Sequence, residues 1–214
     1  MCECDRDSIA SLEGAELAST VQPCPTRRKL VFTALATGAS ILASRSAVAD
    51  ESRPGSNERP QQADILVVSE GEHAGQVIGP QDLKLGGPPV RAWPKDPNNS
   101  VVRNGSRLNE VLIIRLDPAE LDDDTRSRAA DGIVAYSAIC THAGCPVTGW
   151  GKAAKGDKDV LKCVCHNSEF DPRNSAQVVF GPARRRLAAL PLGTTDGSLT
   201  IAAAFVGKVG QQAG

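Results

Sequence analysis

The chain has 214 residues, with 24 basic and 25 acidic side chains and 41% hydrophobic content, which suits one domain of ordinary size with an appendage. So even a charge balance excludes a basic nucleic-acid binder, and aromatics at 3% require a core of Val, Leu, Ile and Ala. Seven Cys against three His limit which metal or catalytic sites can be assembled.

The first predicted element is an address. Thr26-Arg27-Arg28-Lys29-Leu30-Val31 opens an apolar run to Leu42, followed by Arg45 and the small-residue tripeptide Ala47-Val48-Ala49, the order of a cleavable export signal. The Arg27-Arg28 pair resembles a twin-arginine signal, from which Lys29 and Val31 depart in detail. Fifteen residues separate Lys29 from Arg45, whereas crossing a bilayer takes roughly 20 apolar ones. Residues 1–49 therefore read as a signal cut after Ala49, with an uncleaved anchor as the alternative. Cys2, Cys4 and Cys24 fall in this part and have no second pair at zinc-finger spacing. Residues 50–62, rich in Pro, Gly, Ser and charge, read as a flexible tether, and the domain occupies 63–214.

Within the domain, Ile65–Val68 and Gly75–Ile78 read as short strands. Gly86 to Gly105 holds too many breakers for regular structure, and the longer stretch Gly86–Asp124 is the place expected to carry partner specificity. Glu110–Leu116 and Gly132–Ile139 are β-branched runs and strands, and Asp117–Arg128 between them is a short helix or an acidic loop. Val160–Cys163 and Gln177–Phe180 follow, then Arg186–Leu192 and Ser198–Ala204 as a closing pair around Thr195-Asp196-Gly197-Ser198. Many short strands separated by turns predict an all-β protein, an antiparallel sandwich or barrel.

Two segments carry the chemistry: Cys140-Thr141-His142-Ala143-Gly144-Cys145 and Cys163-Val164-Cys165-His166-Asn167-Ser168. Thiolate and imidazole together suit zinc or iron-sulfur ligation, and groups from two loops can enclose a small metal centre. The two boxes resemble those of the Rieske iron-sulfur proteins, C-x-H-x-G-C and C-x-C-H-x-S, and both are complete. The resemblance runs from about Ala63 onward and is strongest over 132–183, the cluster-binding part of a Rieske-type β-sandwich or barrel.

It implies one [2Fe-2S] cluster per chain, with Cys140 and Cys163 on one iron, His142 and His166 on the other, and a disulfide between Cys145 and Cys165. Replacing two thiolates by neutral imidazoles removes negative charge and makes the electron easier to accept, so the carrier is one of high potential. Such a disulfide persists in an oxidising compartment, which agrees with export. Ser168 stands where the family's serine hydroxyl donates to the cluster. Phe170 stands where many quinol-oxidising members have Tyr, which implies a lower potential here. Gly181-Pro182 resembles the start of the family's third, Pro-rich loop, and Arg184-Arg185-Arg186 departs from it as a tuning group, a docking group or a solvated turn.

A structural zinc site would leave the second Cys of each box and Ser168 without a role. Oxygenase chemistry needs a mononuclear iron held by two His and a carboxylate, and His73 alone is left unassigned. The expectation is one-electron transfer with no substrate-converting site, to or from a redox partner protein: a large catalytic subunit, a cytochrome c or a cytochrome b. The first reading is the small subunit of a periplasmic, arsenite-oxidase-like oxidoreductase, exported folded. The alternatives are the Rieske subunit of a cytochrome bc quinol oxidase on the periplasmic side of the cytoplasmic membrane, touching it only through an uncleaved N-terminus, and a free-standing carrier.

Overall fold

The computed structural model describes residues 53–211; the signal expected over 1–49, with Cys2, Cys4 and Cys24, lies outside the described residues. The strands are β1 (Ile65–Val68), β2 (Val90–Lys95), β3 (Val111–Arg115), β4 (Ile133–Ser137), β5 (Gly149–Lys152), β6 (Asp159–Cys163), β7 (Ser168–Asp171), β8 (Gln177–Phe180), β9 (Leu192–Thr195) and β10 (Ser198–Ile201). They form two antiparallel sheets. One has the order β4-β3-β2-β1-β10-β9, and the other is the meander β5-β6-β7-β8. The only α-helix among the described residues, α1 (Asp123–Arg126), is a single turn, and no described helix is long and apolar enough to cross a membrane.

The larger sheet curls. Ser137 N–H donates to Ala188 O at 2.8 Å and Leu190 N–H to Ala135 O at 2.9 Å, so the segment leading into β9 covers the free edge of β4. This curl explains why β3 and β4 read as unbroken apolar runs. Val111, Ile113, Ile133 and Ala135 face a core inside the curl with Leu66, Ala92 and Leu199. Leu112, Ile114, Val134 and Tyr136 face a second core shared with Leu161 and Phe170 of the smaller sheet. A strand buried on both faces loses the polar alternation of a half-exposed one.

Several expectations need correction. The breaker-rich stretch after Gly86 contains β2, which lies between β1 and β3 despite Pro94. Pro94 O accepts from Arg103 N–H at 2.8 Å, so the proline's missing N–H also faces away from β1, and β3 pairs with β2 only as far as Ala92. No ladder bond is therefore lost. Gly75–Ile78 is a return against β1 with a single bridge, Val67 to Val77, and Arg186–Leu192 yields to a strand that begins only after Pro191.

The described part of the expected tether is tied down. Arg103, 4% exposed, donates through Nε to Asp64 at 2.6 Å and through Nη1 to Glu58 at 2.9 Å, and Asn109 Nδ2 donates to Glu58 O at 2.7 Å. A buried guanidinium requires acid partners, and residues 55–64 supply them.

Candidate metal centre

The first box is a tight turn on the extension of β4. Cys140 N–H donates to Cys145 O at 2.8 Å, Gly144 N–H to Cys140 O at 3.1 Å and Val147 N–H to Ala138 O at 2.8 Å. Gly144 takes the left-handed conformation at φ +71, which a glycine adopts without strain. Two contacts from outside pin the turn: Arg107 Nη1 donates to Gly144 O at 2.8 Å, and Thr141 Oγ1 donates to Arg185 O at 2.6 Å. The second box is the tip of the β6–β7 hairpin. Cys163 and Ser168 are register partners, and Val164, Cys165, His166 and Asn167 between them are exposed.

The boxes bring six candidate ligand and bridge residues to one place. The Sγ atoms of Cys145, Cys163 and Cys165 lie within 4.8 Å of one another. Burial pushes the Cys163 thiol up to about 11, against the Cys165 backbone N–H, with Cys140 adding to the rise. Contact with Cys165, then burial, raises Cys145. Crowded thiols that oppose one another's ionisation are a donor set that a metal cation relieves, because the bound cation deprotonates coordinating thiols outright. His142 and His166 meet edge to face with ring centroids 4.7 Å apart, and His142 Nδ1 is buried with no hydrogen-bond partner. An orphaned buried imidazole nitrogen on a loop that also carries Cys140 and Cys145 fits a metal ligand, so the residues present suit an iron-sulfur group.

The tightest sulfur group differs from the expected ligand set. It includes Cys145 and Cys165 and leaves out Cys140, which adjoins Cys163. The disulfide expected between Cys145 and Cys165 is not formed: all four described cysteines are free thiols. A bond requires the sulfurs at about 2.05 Å, whereas here Cys145 and Cys165 adjoin each other as thiols.

The third loop closes on the second box. Ala183 N–H donates to Ser168 Oγ at 3.1 Å, which leaves the serine proton free for another acceptor. Gly181 has φ +89, and a Cβ there would lie 2.4 Å from Asn167 O, so the loop's approach requires glycine. Pro182 is exposed beside it. Phe170 is fully buried in the core that contains Cys140 and Cys163. The arginine triplet divides. Arg185 donates to Lys208 O and Gly210 O, Arg186 pairs with Asp124 at 3.1 Å, and Arg184 is exposed.

Sequence reasoning missed the groups that seat the boxes from a distance. Arg91 binds Glu110 through both nitrogens of its fork and donates to Val147 O at 3.3 Å, just beyond the first box. A Cβ on Gly87 would lie 2.9 Å from the Trp150 ring of β5. The stretch 86–124, expected as a partner-specific insertion, therefore holds two central strands and the seat of the metal-bearing loops. Its clusters of Gly, Pro and Arg were the available signal.

Residues 108–191 match the family model for the Rieske [2Fe-2S] domain. The cytochrome bc1 complex Rieske iron-sulfur subunit of Streptomyces lividans is 40% identical over 87 residues, covering 40% of this chain and 49% of that protein. A subunit of the same description from Mycobacterium tuberculosis is 31% identical over 147 residues, covering 61% of this chain and 33% of that protein. A respiratory nitrate reductase Rieske subunit of Haloferax mediterranei is 41% identical over 80 residues, covering 37% of this chain and 34% of that protein. The chain spans about half or less of the length of these relatives.

Proposed function

We propose that this chain, whose residues 108–191 match the Rieske [2Fe-2S] domain, is the Rieske subunit of a cytochrome bc-type quinol-oxidising complex. The observation that carries the proposal is the similarity to subunits of that description, 40% identical over 87 residues and 31% over 147, beside the Rieske match over residues 108–191, which holds both boxes. It favours this reading over the arsenite-oxidase-like small subunit expected first. When bound, the [2Fe-2S] cluster takes up and releases one electron at a potential raised by its imidazole ligands.

The chain's own residues do the holding. Cys140 and Cys163 would supply thiolates to the cluster, and His142 and His166 imidazoles. Cys145 and Cys165, adjoining across the two loops, close as a disulfide in an oxidising compartment. Ser168 keeps its proton directed away from Ala183, and Arg107 and Thr141 fix the first loop. His166 is exposed at the hairpin tip, on the face open to a redox partner. Residues 1–49 direct export by the twin-arginine route, so that the domain crosses already folded and works outside the cytoplasm.

The test is recovery of the tagged full chain from its own membranes. The expected preparation is coloured, shows the paramagnetic signal of a mixed-ligand cluster on reduction, contains b-type haem and is reduced by decylubiquinol. Recovery with a molybdenum-containing catalytic subunit and no b haem would overturn the bc assignment in favour of a subunit of a reductase or oxidase. A colourless protein with one zinc per chain would overturn the metal reading. Mass spectrometry of the N-terminus decides the address: residues 1–49 retained in the membrane fraction indicate an anchor, and a soluble chain starting at Asp50 indicates cleavage.

A further inference from the structure

We infer that Arg107 is a positioning residue for electron transfer, holding the first metal-binding loop and placing a fixed positive charge against it that favours the reduced state. The inference rests on the Rieske reading. It starts from where the guanidinium is anchored. Arg107 opens the single 3-10 turn Arg107–Asn109, which is capped by Ser106 Oγ accepting from Leu108 N–H. The turn ends on Asn109, fully buried, whose side chain donates to Glu58 O at 2.7 Å and to Arg103 O at 3.0 Å. Arg59 Nη1 reaches Leu108 O at 3.4 Å. The backbone that carries Arg107 is therefore fixed by the segment 55–64, which is itself fastened through Arg103 to Glu58 and Asp64.

From this base Arg107 reaches across 37 positions of chain to Gly144 O at 2.8 Å, and its Nη2 stands 3.4 Å from where a Gly144 Cβ would be. Gly144 lies between His142 and Cys145, in the turn closed by the Cys140–Cys145 backbone bond. Holding this carbonyl fixes the turn on which Cys140 and His142 are displayed.

The charge is the second part of the argument. Arg107 makes no ion pair among the described residues, in contrast to Arg91, Arg103, Arg126, Arg128, Arg173 and Arg186, each of which has a carboxylate. A guanidinium stays ionised at any working pH. Arg107 is an exposed residue, so its unneutralised charge acts on the site over about a Debye length and weakens as salt rises. It interacts more favourably with the site after an electron has been added than before, so it raises the reduced fraction at a given poise.

Redox titration of the full-length holoprotein tests both parts. R107Q removes the charge, and its neutral amide ends two bonds short of the Nη1 that reaches Gly144 O, so it loosens the hold as well. R107K keeps the charge and loses the fork. R107Q is expected to lower the ratio of reduced to oxidised cluster at fixed poise by about tenfold, which is ~59 mV for a one-electron couple. R107K is expected to hold that ratio within about twofold, while amide exchange in the peptide 138–148 becomes about threefold faster. An unchanged ratio in R107Q, or R107K falling as far as R107Q, overturns the charge. Wild-type exchange in R107K overturns the hold, and R107K decides that point by itself if R107Q fails to fold. Absence of the mixed-ligand spectrum from the wild-type protein is a different result, which sinks the Rieske reading and the charge effect with it, while the amide exchange of R107K still decides the hold on the loop.

Discussion

Ser168 and Phe170 lie two residues apart on β7 and act on the same site in opposite ways. The Ser168 hydroxyl accepts from Ala183 N–H at 3.1 Å, and on the proposed function its proton would go to an acceptor in the centre. S168A is therefore expected to do two things: to lower the reduction potential, and to leave a buried N–H unpaired at a cost of about 1–3 kcal/mol. Redox titration and thermal unfolding read these separately, and a potential that stays put would leave Ser168 with a structural role alone. Phe170 offers no donor. F170Y is expected to raise the potential, because it adds a hydroxyl donor to the buried core that also holds Cys140 and Cys163. The check is again a redox titration, and an unmoved midpoint would count against the comparison with Tyr-bearing relatives.

Among the elements, the loops around the site owe their shape to glycines that no side chain can replace. At Gly181 both the conformation, φ +89, and the Cβ position, 2.4 Å from Asn167 O, reject alanine. At Gly71, φ is +84 and the Cβ would meet nothing within 4 Å. G71A should carry only the left-handed penalty, about 1–2 kcal/mol. G181A should cost more than that and also lose visible absorbance from the metal centre; equal melting temperatures for the two variants would show that the loop yields freely. These contacts explain what could be read from the chain and what could not. β1, β8, β10 and the Asp196-Gly197 turn are legible because local signals set them, β-branched runs and turn residues, whereas β9 lies beyond the stretch expected for it. β2 is hidden by Pro94, whose tolerance depends on which edge its nitrogen faces, and that is decided by Arg103 from elsewhere in the chain. β5, reading Gly-Trp-Gly-Lys, has no strand pattern of its own and is held by pairing with β6 and by Gly87 against Trp150. The metal boxes are legible because each is contiguous. Arg107 is not, because its target lies on another loop.

At the scale of the molecule, the two sheets share an apolar core, and among the polar groups that join them one titrates. Tyr136 of β4 donates to Pro172 O at 2.8 Å, with burial pushing its phenol up so that it remains a neutral donor. Beside it, α1 clasps the β7–β8 turn: Thr125 Oγ1 accepts from Ser175 N–H at 2.7 Å, and Asp124 accepts from Arg128, from Ser175 Oγ at 2.9 Å and from Arg186 at 3.1 Å. Arg128 first, then Ser175, hold the Asp124 carboxyl down to about 2, against an ordinary value of 3.8. The folded value lies below the unfolded one. The carboxylate therefore contributes stability that is fully present above about pH 4 and is lost as pH falls through about 2. Asp124 is half exposed, so the contribution is modest and salt-sensitive. Glu120, lowered by its bond from Arg173, loses stability in the same direction, so acid weakens the protein even without Asp124. The diagnostic quantity is the gap in melting temperature between wild type and D124N. It should be constant from pH 7 to about 4 and close between about 4 and 2, and it should be smaller in high salt. A gap that persists to pH 2 would mean that the clasp works through its neutral hydrogen bonds from Ser175, and that the charge adds nothing to the joining of the two sheets.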